Sequence, residues 1–173
     1  MSNKVTVLLL DGVDPPTDDL RQACNLLFKR PEVKTIWLCP IGPFDSPKHI
    51  IDMCNIFCQQ YRLAESKEMT CCTVAIDKKM GEDQLVEWAR INYPAEDFRV
   101  ASFNPYSKVR KLVYRICFGS CSLSLSENVP INITKSVPNY MVIKERIKSG
   151  KDESKKMFHV VWEYIQKHKL YRG

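Results

Sequence analysis

The sequence lacks any apolar run near the roughly 20 residues that a membrane-spanning helix needs. No membrane association is expected. The N-terminus, Met1-Ser2-Asn3-Lys4, runs straight into an apolar segment and leaves no room for a signal or transit peptide. A cytoplasmic protein is expected, with the nucleus or a larger assembly as the alternatives. No internal repeat and no linker divides the 173 residues, a length that suits one domain with a sizeable core. The tight C-x2-C spacing of zinc sites is also missing: Cys54/Cys58 and Cys117/Cys121 are each C-x3-C, and Cys71-Cys72 is a vicinal pair. Without a leader, the eight cysteines read as free, mostly buried thiols rather than disulfides or metal ligands.

Hydrophobic residues make up 45% and charged residues 27%, as in an ordinary globular protein. The formal net charge is +6, part of it in Lys144 to Lys156 and part in Lys108-Val109-Arg110-Lys111. These runs read first as solvated faces, and second as surfaces for a phosphate-bearing partner.

Strands and helices alternate. Lys4 to Leu10 is a continuous apolar β-run, the pattern of a strand buried on both faces. It passes through Gly12-Val13-Asp14-Pro15-Pro16 into a helix that Thr17, Asp18 or Asp19 can cap and that runs to about Lys29. Val33 to Cys39 is a second strand, closed by Pro40-Ile41-Gly42-Pro43. Pro47 to Tyr61 reads as a helix, Met69 to Ile76 as a third strand and Glu82 to Asn92 as a helix. Phe98 to Phe103 is a fourth strand. Val109 to Phe118 reads as a fifth, although its basic start could be helical. Ser120 to Ser126 is a loop and Val129 to Thr134 a short strand. One helix then begins near Pro138 and stops at Gly150, and another runs from about Ser154 to His168. The expected architecture is α/β: a Rossmann-like parallel sheet flanked by helices, forming a single domain over 1–173, with C-terminal helices 138–171 packed on it.

Several strings, in order, resemble the nicotinamide/nicotinate mononucleotide adenylyltransferase family of the nucleotidylyltransferase superfamily. Gly12-Val13-Asp14-Pro15-Pro16 is similar to that family's G-x-F-D-P-P. Trp37-Leu38-Cys39-Pro40 stands where the family has an apolar strand ending in proline, and Lys48-His49 lies near its H-K region in reversed order. Tyr93-Pro94 followed by a strand matches the mid-chain layout. The tail is the most specific part. Ile143 to Lys151 resembles I-R-x-R-[IL]-x-x-G-K, and Val161 to Tyr171 resembles V-x-E-Y-I-x-x-H-x-L-Y. The resemblance implies a nucleotidylyltransferase-like fold. In active members it also implies transfer of AMP from ATP to a pyridine mononucleotide, as in NAD biosynthesis.

Three phosphate or nucleotide contacts of that family are altered. Its [HT]-x-G-H signature becomes Thr17-Asp18-Asp19-Leu20. Thr17 can still donate a hydrogen bond, but Asp19 stands for the glycine and Leu20 for the final histidine. Two carboxylates facing a triphosphate would each add about 1–4 kcal/mol of repulsion at effective dielectrics of about 80 to 20. As helix-mouth residues, Asp18 and Asp19 read first as caps that favour the dipole. The family's I-S-S-T-x-x-R becomes Pro138-Asn139-Tyr140-Met141-Val142-Ile143-Lys144, which keeps a charge without the arginine fork. Its G-x-D falls near Ala101-Ser102-Phe103-Asn104.

Candidate nucleotide-binding residues are Gly12, Val13, Thr17, Phe44, Lys48 and Lys144. Phe44 is included because it lies in a loop at a strand's C-terminal end, where ligands of α/β sheets bind. Trp37, Phe44 and Trp88 could stack on a base or nicotinamide ring, but Trp37 and Trp88 read first as core; His49 reads first as a helix-end surface residue and second as ligand-facing, and His159 and His168 read as structural. The first expectation is a catalytically silent relative, a pseudoenzyme serving a structural or interaction role with a protein partner or a second copy. The alternative is a divergent active adenylyltransferase using ATP and Mg²⁺, with Thr17 and Lys144 catalytic and Lys48 or the metal adding charge. A third reading, least favoured, has Lys144 to Lys156 binding nucleic acid or an acidic protein, with affinity that falls steeply with salt. No zinc or other resident metal is expected.

Overall fold

The computed structural model describes residues 4–10, 12–101 and 139–172. Its elements are β1 (Val5–Leu9), α1 (Asp18–Phe28), β2 (Val33–Leu38), α2 (Pro47–Glu65), β3 (Met69–Cys71), α3 (Val74–Asp77), α4 (Glu82–Asn92) and β4 (Asp97–Ala101). After these come α5 (Asn139–Lys148), a 3₁₀ turn (Ser154–Lys156) and α6 (His159–Lys167). The strands form one sheet in the order β3-β2-β1-β4, and every pairing is parallel. The expected α/β, Rossmann-like sheet flanked by helices is therefore present. The strands expected at Val109–Phe118 and Val129–Thr134, and the loop between them, lie outside the described residues.

β1 is central, and all five of its residues are buried. Strand alternation sends Val7 and Leu9 to one face and Leu8 to the other, so each face needs its own cover. On the first face α1 contributes Leu20, Ala23, Cys24 and Leu27. Along α2, Ile50, Met53, Cys54, Phe57, Cys58 and Tyr61 recur at helical spacing and bury the same side. Ile143 and Ile147 of α5, and Val161 and Ile165 of α6, complete that layer. On the other face, Leu8 and Val100 meet Leu85, Val86 and Ala89 of α4. Trp37 packs edge-on against Tyr93 and Phe98, with ring centroids 5.1 and 5.4 Å away, as a core residue should. Trp88 packs against the same cluster.

Three expected elements are corrected. Helix α2 runs past Tyr61 to Glu65, where Ser66 takes the left-handed capping conformation (φ 56°). The third strand ends at Cys71 rather than Ile76, and Val74–Asp77 is a short helix. The ladder pairs Ile36, Trp37 and Leu38 with Met69, Thr70 and Cys71, so β3 runs out of partner where β2 ends before Pro40. The last helix is broken. Met157 is extended (φ −158°, ψ 168°) between the 3₁₀ turn and α6. Consecutive helical residues point in different directions. The extended link lets Met157 join the core while the Phe158 ring packs at a tilt against Phe57, 5.4 Å away.

Candidate functional site

The chain enters β4 after β3 by crossing to the opposite side of β1, so the strand order reverses beside β1. In open α/β sheets, ligands bind outside the carboxyl ends of the strands at such a point. The turn after β1, the loop after β2, the start of α2, helix α5 and the C-terminal tail enclose a cleft of about 380 Å³ there. Asp14, Phe44, His49, Lys144 and Tyr171 are among its lining residues.

The turn is compact. Gly12 is buried with φ +82°, a conformation that glycine adopts without a Cβ penalty. Val13 is buried and forms an isolated antiparallel bridge with Pro16. The turn thereby presents Asp14, whose two carboxylate oxygens are both engaged. Lys144 Nζ donates to Oδ2 at 3.0 Å, and the Tyr171 hydroxyl donates to Oδ1 at 2.5 Å. Lys144 Nζ also lies 5.4 Å from the centre of the Tyr171 ring, a cation–π placement. Burial and the Asp14 charge push the Tyr171 phenol well above the ordinary tyrosine range.

Tyr171 arrives there because α6 ends in a Schellman motif. Lys169 takes the left-handed conformation (φ 52°); its N–H donates to Gln166 O, and Leu170 N–H donates to Ile165 O at 3.0 Å. Tyr171 is also left-handed (φ 65°). Helix α5 ends the same way at Gly150 (φ +83°), as its sequence predicts.

A second cluster joins α2 to α6. The Tyr164 hydroxyl donates to Asp52 Oδ2 at 2.7 Å and lies 2.7 Å from His49 Nδ1. The Tyr164 hydroxyl directs its one proton at the carboxylate, so it meets His49 Nδ1 as an acceptor in the tautomer that carries a proton on that nitrogen. The His168 ring sits 4.2 Å from Tyr164 and 5.0 Å from His49. His49 is thus a half-buried cleft residue, as its second reading has it, and not a helix-end surface histidine.

The structure brings Phe44 and Lys144 to the cleft. Lys48 is exposed on the first turn of α2 and does not line it. Thr17 is the N-cap of α1 but makes no capping bond. It is 2% exposed, and its Oγ1 has no hydrogen-bond partner. Leu20 is 1% exposed within the first core layer. Asp18 and Asp19 occupy the first turn of α1 and do not line the cleft. Burial raises the Asp18 carboxyl above its ordinary range, against the pull of Arg21 and Lys156. Both acids thus stand at the N-terminal end of α1, where a carboxylate favours the helix dipole. Among the described residues, no three His, Cys, Asp or Glu side chains converge to hold a metal ion.

Asp14, Tyr171, Asp52 and Tyr164 escape a residue-by-residue reading. Asp14 and Tyr171 do lie in the two strings that carry the resemblance, and those strings meet in space across 157 positions.

No protein-family model matches the sequence, and no curated protein does. Solved structures match along nearly its whole length. Plasmodium falciparum nicotinic acid mononucleotide adenylyltransferase complexed with APC superposes with a TM-score of 0.65 at 14% identity, covering 98% of each chain. The same protein complexed with NaAD gives 0.59 at 14% identity. A putative nicotinate-nucleotide adenylyltransferase from Vibrio parahaemolyticus gives 0.64 at 16% identity, covering 98% of this chain and 96% of that one. At such low identity the likeness speaks for architecture, and it establishes that this chain has the fold of the nicotinate mononucleotide adenylyltransferases.

Proposed function

We propose that the chain is a catalytically silent, adenylyltransferase-like protein, a single domain retained for a structural or interaction role. The observation that carries this reading is the clasp of Lys144 and Tyr171 on Asp14. Adenylyl transfer needs preorganised cations and donors aimed at the phosphates. The one charge kept from the family's phosphate-wrapping helix start is already committed to a carboxylate of the same chain, and the chain's own Tyr171 lines the cleft. Leu20 adds to this, since a core leucine offers no donor at the position of the family's histidine. Met141 and Val142 stand exposed on α5 and offer apolar surface to a partner.

A second reading has one observation in its favour. Thr17 Oγ1 is buried without a partner, and a buried donor is rarely left so. A phosphate oxygen would satisfy it, as in a divergent enzyme using ATP and Mg²⁺. Mg²⁺ is usually held by one or two carboxylates together with substrate phosphates, so it would come with the nucleotide.

Thermal unfolding in 1 mM ATP with Mg²⁺, with and without nicotinate mononucleotide, separates the two. A ligand at about 100 times its Kd adds about 2.7 kcal/mol to the native state. For a domain of this size that raises Tm by roughly 5–10 °C. The silent reading expects a shift below about 1 °C. The second expects a clear rise that Thr17→Val abolishes.

A further inference from the structure

Six of the eight cysteines lie within the described residues and all six are free thiols. Cys24, Cys39, Cys54 and Cys58 are buried, whereas Cys71 and Cys72 are partly exposed. The last two stand at the end of β3, on the edge of the sheet. Neighbouring residues of an extended strand face opposite ways, and here each meets a thiol from another element. Cys71 packs on the α2 side of the sheet, in the layer that holds Cys54. Cys72 packs on the α4 side, in the cluster that holds Cys39.

The Cys39/Cys72 pair follows from the sheet itself. Leu38 is in register with Cys71, and Cys72 N–H donates to Leu38 O at 2.8 Å. The next position places Cys39 directly beside Cys72. Neighbouring strands lie about 4.8 Å apart, inside the Cα separation of roughly 4.4–6.8 Å that a disulfide spans. A bond between Cys71 and Cys72 themselves is disfavoured, because alternation points their sulfurs to opposite faces.

We propose that Cys72 is a peroxide-reactive thiol and that Cys39 resolves its oxidised form into a Cys39–Cys72 disulfide linking the ends of β2 and β3. The chemistry of the two residues is unequal. The Cys39 hydrogen bond, helped by the Val74 N–H and opposed by burial, brings the Cys72 thiol down to about 7. Burial pushes Cys39 well above the ordinary thiol range, so it keeps its proton. The Cys39 S–H has a second acceptor in the Trp37 carbonyl, 3.3 Å away.

In the first step the Cys72 thiolate attacks one oxygen of hydrogen peroxide. An S–O bond forms, the O–O bond breaks, and the departing hydroxide takes a proton from solvent to become water. In the second, the Cys39 sulfur attacks the Cys72 sulfenic acid. The S–S bond forms, the S–O bond breaks, and the hydroxyl leaves as water with the Cys39 proton. Two thiols are oxidised, and one peroxide is reduced to two waters. Because β2 leads directly through Cys39 into the loop that carries Phe44, the link ties the sheet edge to one wall of the cleft.

The test treats the reduced full-length chain with a few equivalents of hydrogen peroxide. Remaining thiols are alkylated under denaturing conditions and peptides are mapped by mass spectrometry, with and without reductant. The expected result is a Cys39–Cys72 cross-linked peptide that dithiothreitol removes. Cys72→Ser, a change at a partly exposed site, abolishes it and leaves Cys39 alkylatable. In native protein without peroxide, limiting iodoacetamide labels Cys72 first, at a rate half-maximal near pH 7. At that pH the larger thiolate fraction outweighs the lower nucleophilicity and gives roughly a three-fold advantage over a free cysteine. A Cys54–Cys71 link instead, Cys72 carried to sulfinic acid with Cys39 intact, or no modification of Cys72 would each overturn the proposal. These results are independent of any outcome with nucleotides.

Discussion

Leu20→His lowers the stability of the chain by about 3–5 kcal/mol and restores no adenylyl transfer. Leu20 is 1% exposed among Ala23, Leu27 and the β1 side chains. Replacing it removes about 2 kcal/mol of apolar burial. It also buries imidazole nitrogens in a largely apolar layer, at a further cost of about 1–3 kcal/mol. Tm should fall by on the order of 10 °C. The loss deepens below pH 6, where the unfolded chain can protonate the histidine and the core cannot accommodate the charge. Chemical denaturation at pH 7.5 and 5.5 measures both effects. A variant as stable as its parent would mean that position 20 opens onto the cleft, with room for the family's histidine.

Tyr171→Phe has the second large effect, and its size depends on pH. At neutral pH the variant loses a hydrogen bond to a charged acceptor, worth about 1.5–3 kcal/mol when buried. The Asp14 side chain is 21% exposed, so the lower part of that range is expected. The folded chain holds the Tyr171 phenol protonated well above 10, whereas the unfolded chain releases that proton near 10. The stabilisation is therefore complete below pH 10 and is withdrawn as pH rises towards the folded-state value. Tyr61 and Tyr164 are raised as well, each mainly by burial, so the parent chain loses stability steeply in alkali. Tyr171→Phe should lose it with a slope smaller by one proton. Denaturation curves from pH 8 to 11 should converge. Parallel curves would place Tyr171 outside the clasp.

These two residues mark what a single sequence reveals and what it conceals. Val5 to Leu10 announces a doubly buried strand because apolar side chains fill both alternating positions. The start of α2 at Pro47, the limits Glu82–Asn92 and the Gly150 stop are equally local, and all three are where the sequence puts them. The end of β3 is not local, because it depends on how far β2 runs. The break at Met157 is hidden for a related reason. Met157, Val161 and Ile165 keep helical spacing across it, so periodicity alone reads through. Farther apart still are Asp14, Lys144 and Tyr171. Nothing in any one segment shows that Lys144, 130 positions on, spends its charge on Asp14. His49 likewise becomes a cleft residue only through Tyr164, 115 positions away.

The chain has an adenylyltransferase fold in which Leu20 is buried and Lys144 is engaged by Asp14, and the proposed silence rests on those two residues. Dinucleotide formation is the most direct measure of it. Purified full-length chain is incubated with ATP, Mg²⁺ and either nicotinate or nicotinamide mononucleotide, and both the dinucleotide and pyrophosphate are quantified against a protein-free blank. Neither product is expected above the blank, including with Asp14→Ala, which releases Lys144 but supplies no donor at Leu20. Sustained turnover by the parent chain, reduced by Thr17→Val or Lys144→Ala in protein that remains folded, would contradict it.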